Sequence, residues 1–392
     1  MTTLISLLGK SKLDRNTGYR TATYHFDDSN TPTAPFFGMA LRDYIKPNKL
    51  ILAGTAGSMW DVFFDHQKTD DEATLALIDA VTKETVTPAM LVIHEQRLTE
   101  KLGIPVQCLL IPYARDEAEQ TAILASLADN LQPSEEIILD VTHGFRHLPM
   151  LALVAARYLA LVRGIKVKEV YYGALDMTDP ATGHAPVLRL SAMLRMLDWV
   201  EALAVYEHSG DYGVLSPLLK LDGMEEKSAD LLAQGAYFER VSNPEHAKQI
   251  LTGAHKHVCE HQGPMGNLFK GALSERIGWF RRGTRADWEL ALADRYLKRQ
   301  DYLRAITYLY EGYISRVVEK SGGDINRFED RNTAFDNEKK NRDVQLLTRL
   351  RNAMAHGVRS NSRDCERLLQ NQQLLDNKLR ALRKSLFNFS SR

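Results

Sequence analysis

Two rhythms of hydrophobic and polar positions divide the chain. Over the first part, short apolar runs alternate with helical stretches. LISLLG (residues 4–9) stops at Gly-Lys, and TATYHF (21–26) alternates as a half-buried strand does. KLILAGTAGSMW (49–60) runs from an apolar strand into a loop of small residues, and VQCLLIPY (106–113) is a further strand. EEIILDVTHGFRHLPMLALVAARYLALV (135–162) reads as strand, polar loop and long apolar helix, and VKEVYYGAL (167–175) as strand again. MTDPATGHAP is a turn after which VLRLS is expected to return as a hairpin strand. This alternation predicts an α/β, Rossmann-like domain over residues 1–190, with a mostly parallel sheet and helices on both faces.

Past Ser191 the strand signals stop. AMLRMLDWVEALAVYEH (192–208) and GVLSPLLK (213–220) carry apolar residues at helical spacing, and SGDYG (209–213) and SNPEH (242–246) interrupt it. A second block, RADWELALADRYLKRQDYLRAITYLYEGYISRVVEKSGG (285–323), is amphipathic and stops at Gly322-Gly323. After a charged polar stretch come RDVQLLTRLRNAMAHG (342–357) and a last helix over 364–389. The predicted layout is an α/β domain (1–190), an all-α connector (191–284) and an all-α C-terminal domain (285–392). No long-period repeat is present.

Composition narrows the function classes. The chain of 392 residues is 44% hydrophobic and 26% charged, ordinary for a globular protein. Its 50 basic and 50 acidic side chains cancel. A dedicated duplex-DNA binder is usually basic, so any nucleic acid is expected to be met in a local cleft. Cys108, Cys259 and Cys365 are too few and too scattered for a disulfide framework. No apolar run is long enough to span a membrane, and MTTLISLLGK is too short for a signal peptide. The expectation is a soluble cytoplasmic protein.

Two loops stand where open α/β sheets bind ligands, beyond the carboxyl ends of strands. In AGTAGSMW, Gly54 and Gly57 permit close backbone approach, while Thr55 and Ser58 offer hydroxyls near a nest of backbone N–H groups. It is neither a Walker loop nor a dinucleotide fingerprint, and an ordinary small-residue turn is the competing reading. In DVTHGFRH (140–147), Thr142, His143, Gly144, Arg146 and His147 crowd between two apolar segments. A helix N-terminus attracts anions and Arg146 adds a bidentate phosphate ligand. The competing reading is structural, with Asp140 paired to Arg146. Gly9 and Lys10 end the first strand at the same edge. Together these loops describe a pocket for a phosphate-rich, nucleotide ligand.

Near the C-terminus, LRNAMAHG sets Arg351, Asn352 and His356 before Gly357, which reads as the residue past a helix end. With 12 His in 392 residues, an Arg followed five positions later by a His arises about once by chance. Context gives the segment interest: a helix, an adjacent Asn, small Ala353 and Ala355, and a terminal Gly. Asn352 and His356 share a face, whereas Arg351 lies about 140° round the axis from His356 and must reach with its stem. An Arg and a His without a carboxylate cluster suit metal-independent RNA cleavage, in which the ribose 2′-OH attacks the adjacent phosphate and DNA is inert. One such set per chain points to a composite site on a homodimer axis. A polar helix end is the alternative. In HKHVCEH (255–261), His255 and Cys259 share one helical face and His257 and His261 another; a tetrahedral site needs its ligands to converge, so no metal is expected. YLRAITYLYEGY reads as core packing, with Tyr310 and Glu311 as residues that could line a site.

The segments resemble a known family in a fixed order. LDVTHGFRHLPML resembles the signature of CRISPR-associated Rossmann-fold (CARF) domains, and GTAGSMW and VYYGAL resemble that family's other sheet-end segments. RNAMAH resembles the Arg–His motif of HEPN ribonucleases. The chain is similar over its whole length to the CARF–HEPN ancillary ribonucleases of type III CRISPR systems. That resemblance implies a homodimer whose CARF domains bind a cyclic oligoadenylate, cyclic tetra-adenylate the first expectation, and thereby activate a HEPN endoribonuclease that cuts single-stranded RNA. It implies Thr142, His143, Gly144 and Arg146 on activator phosphate and ribose, with Gly9, Lys10, Gly54, Thr55 and Ser58 opposite. It implies Arg351, Asn352 and His356 as catalytic, and no cofactor. Whether the CARF pocket slowly cleaves its own activator is left open. One departure is IPYARDEAEQ, where a glycine is expected near Ala114. The alternatives from other classes are a nucleotide-sensing transcriptional regulator and a non-catalytic helical scaffold.

Overall fold

Thr2–Leu8 (β1) is buried at every position but the first, and a strand buried on both faces belongs in the middle of a sheet. The computed structural model describes residues 1–11, 13–14, 18–28, 30–64, 71–357 and 362–387. It places β1 between two parallel neighbours. Leu13–Asp14 (β2) and Gly18–Tyr19 (β3) form a separate antiparallel ribbon. The main sheet continues with Ala22–His25 (β4), Thr33–Ala34 (β5), Lys49–Gly54 (β6), Val106–Leu110 (β7), Glu136–Asp140 (β8), Lys166–Gly173 (β9) and His184–Arg189 (β10). Its order is β5-β4-β10-β9-β8-β1-β6-β7. The run β9-β8-β1-β6-β7 is parallel throughout. β10 returns antiparallel to β9, the hairpin expected of VLRLS.

Period-two alternation sorts this sheet's apolar residues between two cores. Leu4, Leu8, Leu50 and Leu52 face one side, with Phe36, Phe37 and Trp60. Ile5, Leu7, Ile51 and Leu139 face the other. Helices Phe37–Ile45 (α1), Glu72–Lys83 (α2) and Pro88–Leu102 (α3) supply the first core, and Glu117–Asp129 (α4) and His147–Arg163 (α5) the second. The α/β class read from the sequence is therefore observed. The order in which strands are added reverses at β1: β6 and β7 lie on one side, β8 and β9 on the other. The carboxyl ends of β1 and β8 thus flank a topological switch point, where such sheets bind ligands.

The chain divides into units Met1–Arg195 and Met196–Arg392. Helix Ser191–Ser209 (α6) runs across that division. The second unit continues with Ser216–Leu221 (α7), Glu226–Arg240 (α8), Pro244–Glu260 (α9), Gly266–Ile277 (α10), Arg285–Lys298 (α11), Tyr302–Ser321 (α12), Phe328–Glu338 (α13), Arg342–His356 (α14), Arg363–Leu369 (α15) and Gln372–Phe387 (α16). Its described residues form helices and connecting turns, with no strand. One continuous core takes Leu232 and Leu251 from the 191–284 stretch and Leu292, Ile306, Leu347 and Leu379 from the 285–392 stretch. Inside it, the buried Glu239 carboxylate accepts hydrogen bonds from Tyr212, Trp279 and Tyr296 at 2.8–3.0 Å. Three donors offset the desolvation of that charge. Gly322 caps α12 at φ +72°, the stop that the Gly-Gly pair predicts. Among the described residues no helix is long and apolar enough to cross a membrane.

Candidate functional site

Three loops meet at the carboxyl ends of β1, β6 and β8, and their small residues explain how. A Cβ on Gly9 would stand 2.8 Å from the Gly144 nitrogen and 3.1 Å from the His143 Cβ, so only glycine lets the β1 and β8 ends touch. The Met59 N–H donates to the Gly9 carbonyl at 2.9 Å, tying the β6 loop to the same point. Gly144 itself adopts φ +100°. These contacts give a shared floor of backbone at the switch point.

The polar residues divide by what they bond. Ser58 donates to the Leu8 carbonyl at 2.9 Å and accepts from the Thr55 N–H at 2.9 Å. Thr55 and Ser58 are buried, and the Thr55 carbonyl accepts from Trp60 at 2.9 Å. Gly54 fits closely too, since a Cβ there would lie 2.9 Å from Ser58 and Trp60. The hydroxyls expected to meet a ligand are engaged in fastening the β6 loop. Thr142 accepts from the Gly173 N–H at 2.8 Å. His143 Nε2 accepts from the Phe37 N–H at 3.1 Å and so caps the first turn of α1. Burial pushes its imidazole down to about 4, so the ring is a neutral acceptor at neutral pH.

What remains open is cationic and aromatic. Arg146, at the N-cap of α5, is exposed and bonds no other described residue. Lys10 is exposed and pairs with Glu84, which also accepts from the Tyr113 hydroxyl at 3.1 Å. Phe145 is exposed, its ring 5.8 Å from Tyr113 and 5.9 Å from His147. Glu84, Tyr113 and Phe145 did not stand out in the sequence. Glu84 and Tyr113 come from distant segments, and only Phe145 lies inside a loop already singled out. Behind the loop Asp140 is buried, bonded by Ser6 and by the Thr142 N–H at 2.9 Å, yet burial still pushes its carboxyl up to about 6. The pairing of Asp140 with Arg146, weighed from the sequence, does not form.

In the second unit, burial orients α14. Val344, Leu347, Leu350 and Ala353 point inward at three-residue intervals, each leucine contributing about 1.5–3 kcal/mol. That face fixes the opposite one outward, with Asn352 and His356 exposed. Gly357 ends the helix at φ +62°, its N–H donating to the Ala353 carbonyl. Arg351 turns toward α12, as the helical geometry requires. Its Nη1 lies 3.4 Å from Glu311 Oε1, and its guanidinium carbon sits 4.2 Å above the Tyr310 ring. Its Nε is also 3.4 Å from Asn352 Oδ1. His356 bonds no other described residue. Tyr310 and Glu311 thus join Arg351, Asn352 and His356 at one helix end.

The His-Cys segment breaks into separate contacts. His261 pairs with Asp222 at 2.9 Å, and Cys259 lies 3.6 Å from His255. Among the described residues no group of three or more His, Cys, Asp or Glu is placed to hold a metal ion.

Comparison with known proteins adds three findings. Residues 3–176 match the family model described as the CARF domain of the CRISPR system endoribonuclease Csx1. The match lies wholly within the first unit. The chain is 28% identical over 248 residues to CRISPR-associated protein MJ1674 of Methanocaldococcus jannaschii, covering 57% of this chain and 39% of that relative's length. Among solved structures, Enterococcus italicus Csm6 bound to cyclic hexa-2′-fluoro-hexa-dAMP superposes with a TM-score of 0.37 at 12% identity, covering 100% of this chain and 96% of that one.

Proposed function

We propose that this chain, whose residues 3–176 match the CARF domain model of a CRISPR system endoribonuclease, is a cyclic oligoadenylate-activated, metal-independent endoribonuclease of type III CRISPR defence. One observation carries the reading. On a chain whose residues 3–176 match a CARF domain model, the end of α14 presents an exposed His356, its side chain unpaired among the described residues, beside Asn352 and an Arg351 held against Glu311 and Tyr310.

In the proposed reaction a single-stranded RNA phosphate lies against Arg351. The neighbouring 2′-OH attacks phosphorus, its proton passing to a histidine. The P–O5′ bond breaks, and a 2′,3′-cyclic phosphate and a 5′-hydroxyl form as the leaving oxygen gains a proton. Arg351 stabilises the charge that builds on the phosphorane. Attack and departure occur on opposite sides of phosphorus, and each chain offers one His356. A homodimer supplies two across a two-fold axis. An apolar stripe supports self-association: Met150, Val154, Tyr158 and Leu161 lie exposed along one face of α5. At the other site Arg146 and Lys10, above the Gly9–Gly144 floor, would take activator phosphates.

The test is a cleavage assay on the full chain in EDTA, with RNA or DNA of equal sequence, with and without cyclic tetra- and hexa-adenylate. RNA alone should be cut, and only with one of the rings present. His356→Ala should lower the rate by at least about 1,000-fold, since it removes the proton carrier, while activator binding persists. Equal cutting of DNA, or full activity in that variant, would overturn the reading.

A further inference from the structure

We propose that Glu311 and Arg331 are positioning residues for Arg351, the outer members of a polar relay anchored in the core of the second unit. The inference rests on the reading of Arg351 as a catalytic group.

The relay begins at Glu289 on α11, which is 0% exposed. A buried carboxylate must be bonded on both oxygens, and it is. Oε1 accepts from Arg285 at 2.9 Å and Oε2 from the Ser315 hydroxyl at 2.6 Å. Ser315, on α12, in turn accepts from Arg331 Nη1 at 3.0 Å. Arg331, on α13, uses its other nitrogen, Nη2, on Glu311 Oε2 at 2.5 Å. Glu311, one turn before Ser315 on α12, then offers its remaining oxygen to Arg351 at 3.4 Å. Four helices contribute, and the planar fork of one arginine joins the buried end to the exposed end.

The two distances at Glu311 differ in a way that suits a working site. The bond to Arg331 is short and half-buried, so it fixes the carboxylate. The contact with Arg351 is near the limit of a hydrogen bond and hence weak. A substrate phosphate with two free oxygens can replace it without disturbing the rest. The Tyr310 face below the guanidinium keeps Arg351 in place during that exchange. Glu311 therefore sets where Arg351 waits and need not touch the reacting atoms.

A double-mutant cycle separates positioning from general structure. Glu311→Gln should lower the single-turnover rate of RNA cleavage at saturating activator on the order of tenfold in the wild-type background, as a displaced catalytic group does. In an Arg351→Lys background, which already lacks the fork, the same change should cost less than about twofold. A full loss in both backgrounds, or none in the wild type, would overturn the proposal. A second measurement is independent of activity. The ¹⁵N relaxation of the Arg351 Nε–H group should report a rigid side chain in the wild type and a mobile one in Glu311→Gln and Arg331→Ala. A side chain equally mobile in all three would also overturn it. Should the wild-type chain cut no RNA with any ring, the ribonuclease reading fails by itself, and the relaxation data still decide whether Glu311 holds Arg351.

Discussion

Asp140 is the residue whose chemistry costs the fold most visibly. Its carboxyl is pushed up to about 6 by burial, against an ordinary 3.8, despite bonds from Ser6 and Thr142. A folded-state value above the unfolded one means the group's contribution to stability is fully present below the unfolded pKa and is lost as pH rises through the folded one. Asp140→Asn carries no such titration. The stability of the variant relative to wild type should therefore grow between pH 4 and pH 8 by about 2–3 kcal/mol, whatever constant offset the amide brings. Urea unfolding of both proteins at the two pH values measures this, and a gap that does not widen excludes an ionising, desolvated Asp140. The same loop shows what the sequence made legible. It displayed residue types beyond strand ends, and Arg146 among them is exposed. It did not show that Ser58 bonds the Leu8 carbonyl or that His143 caps α1, because those partners lie 50 and 106 positions away. Ala114 is the converse case. The chain there takes φ +59°, the conformation glycine favours, although an alanine occupies it. The glycine that the resemblance implied near this position is absent, yet the backbone takes the conformation glycine favours.

At the scale of elements, helix pairing decides the geometry around Arg351. Gly312 sits where α12 crosses α11: a Cβ there would lie 3.2 Å from the Glu289 Cβ and 3.3 Å from the Leu290 nitrogen. Alanine would gain about 1 kcal/mol of helix propensity and lose part of it to that contact, so Gly312→Ala should shift stability by less than about 1 kcal/mol. A β-branched side chain cannot be absorbed, and Gly312→Val should destabilise by about 2 kcal/mol or more. Thermal unfolding checks both, and similar values for the two variants would argue against close packing as the reason for glycine. Elements of this kind were readable because their patterns are long enough to repeat: α12 and α14 carry their apolar positions at helical spacing, and β6 and β8 are unbroken apolar runs. The β4–β5 edge was half legible. β4 alternates, but β5 has only two residues, Thr33–Ala34, and too short a run leaves no period. The partners of Arg351 were visible only as possibilities, since one helix sequence cannot say which side chain of α12 will face α14.

At the scale of the whole molecule, the proposed gating is a linkage between two equilibria. An activator promotes cleavage only by binding the active dimer more tightly than the inactive one, and only by that difference. A ring of adenylates has rotational symmetry, so on a two-fold axis it meets the same residue from each chain. Arg146 is exposed and unpaired among the described residues, and its removal asks little of the fold. Each lost charge-assisted bond costs about 1.5 kcal/mol, and the axis doubles it to about 3 kcal/mol. Arg146→Ala should then raise the half-saturating concentration of the cyclic oligoadenylate on the order of 100-fold. The rate at saturation should stay within about twofold, because the cleavage site and the active dimer are untouched. An activator titration of RNA cleavage distinguishes the outcomes. A fall in the saturated rate with no change in midpoint would place Arg146 in the response to the activator and not in its capture. A midpoint shift of only about tenfold would mean one contact per ring, and so a ligand bound off the axis.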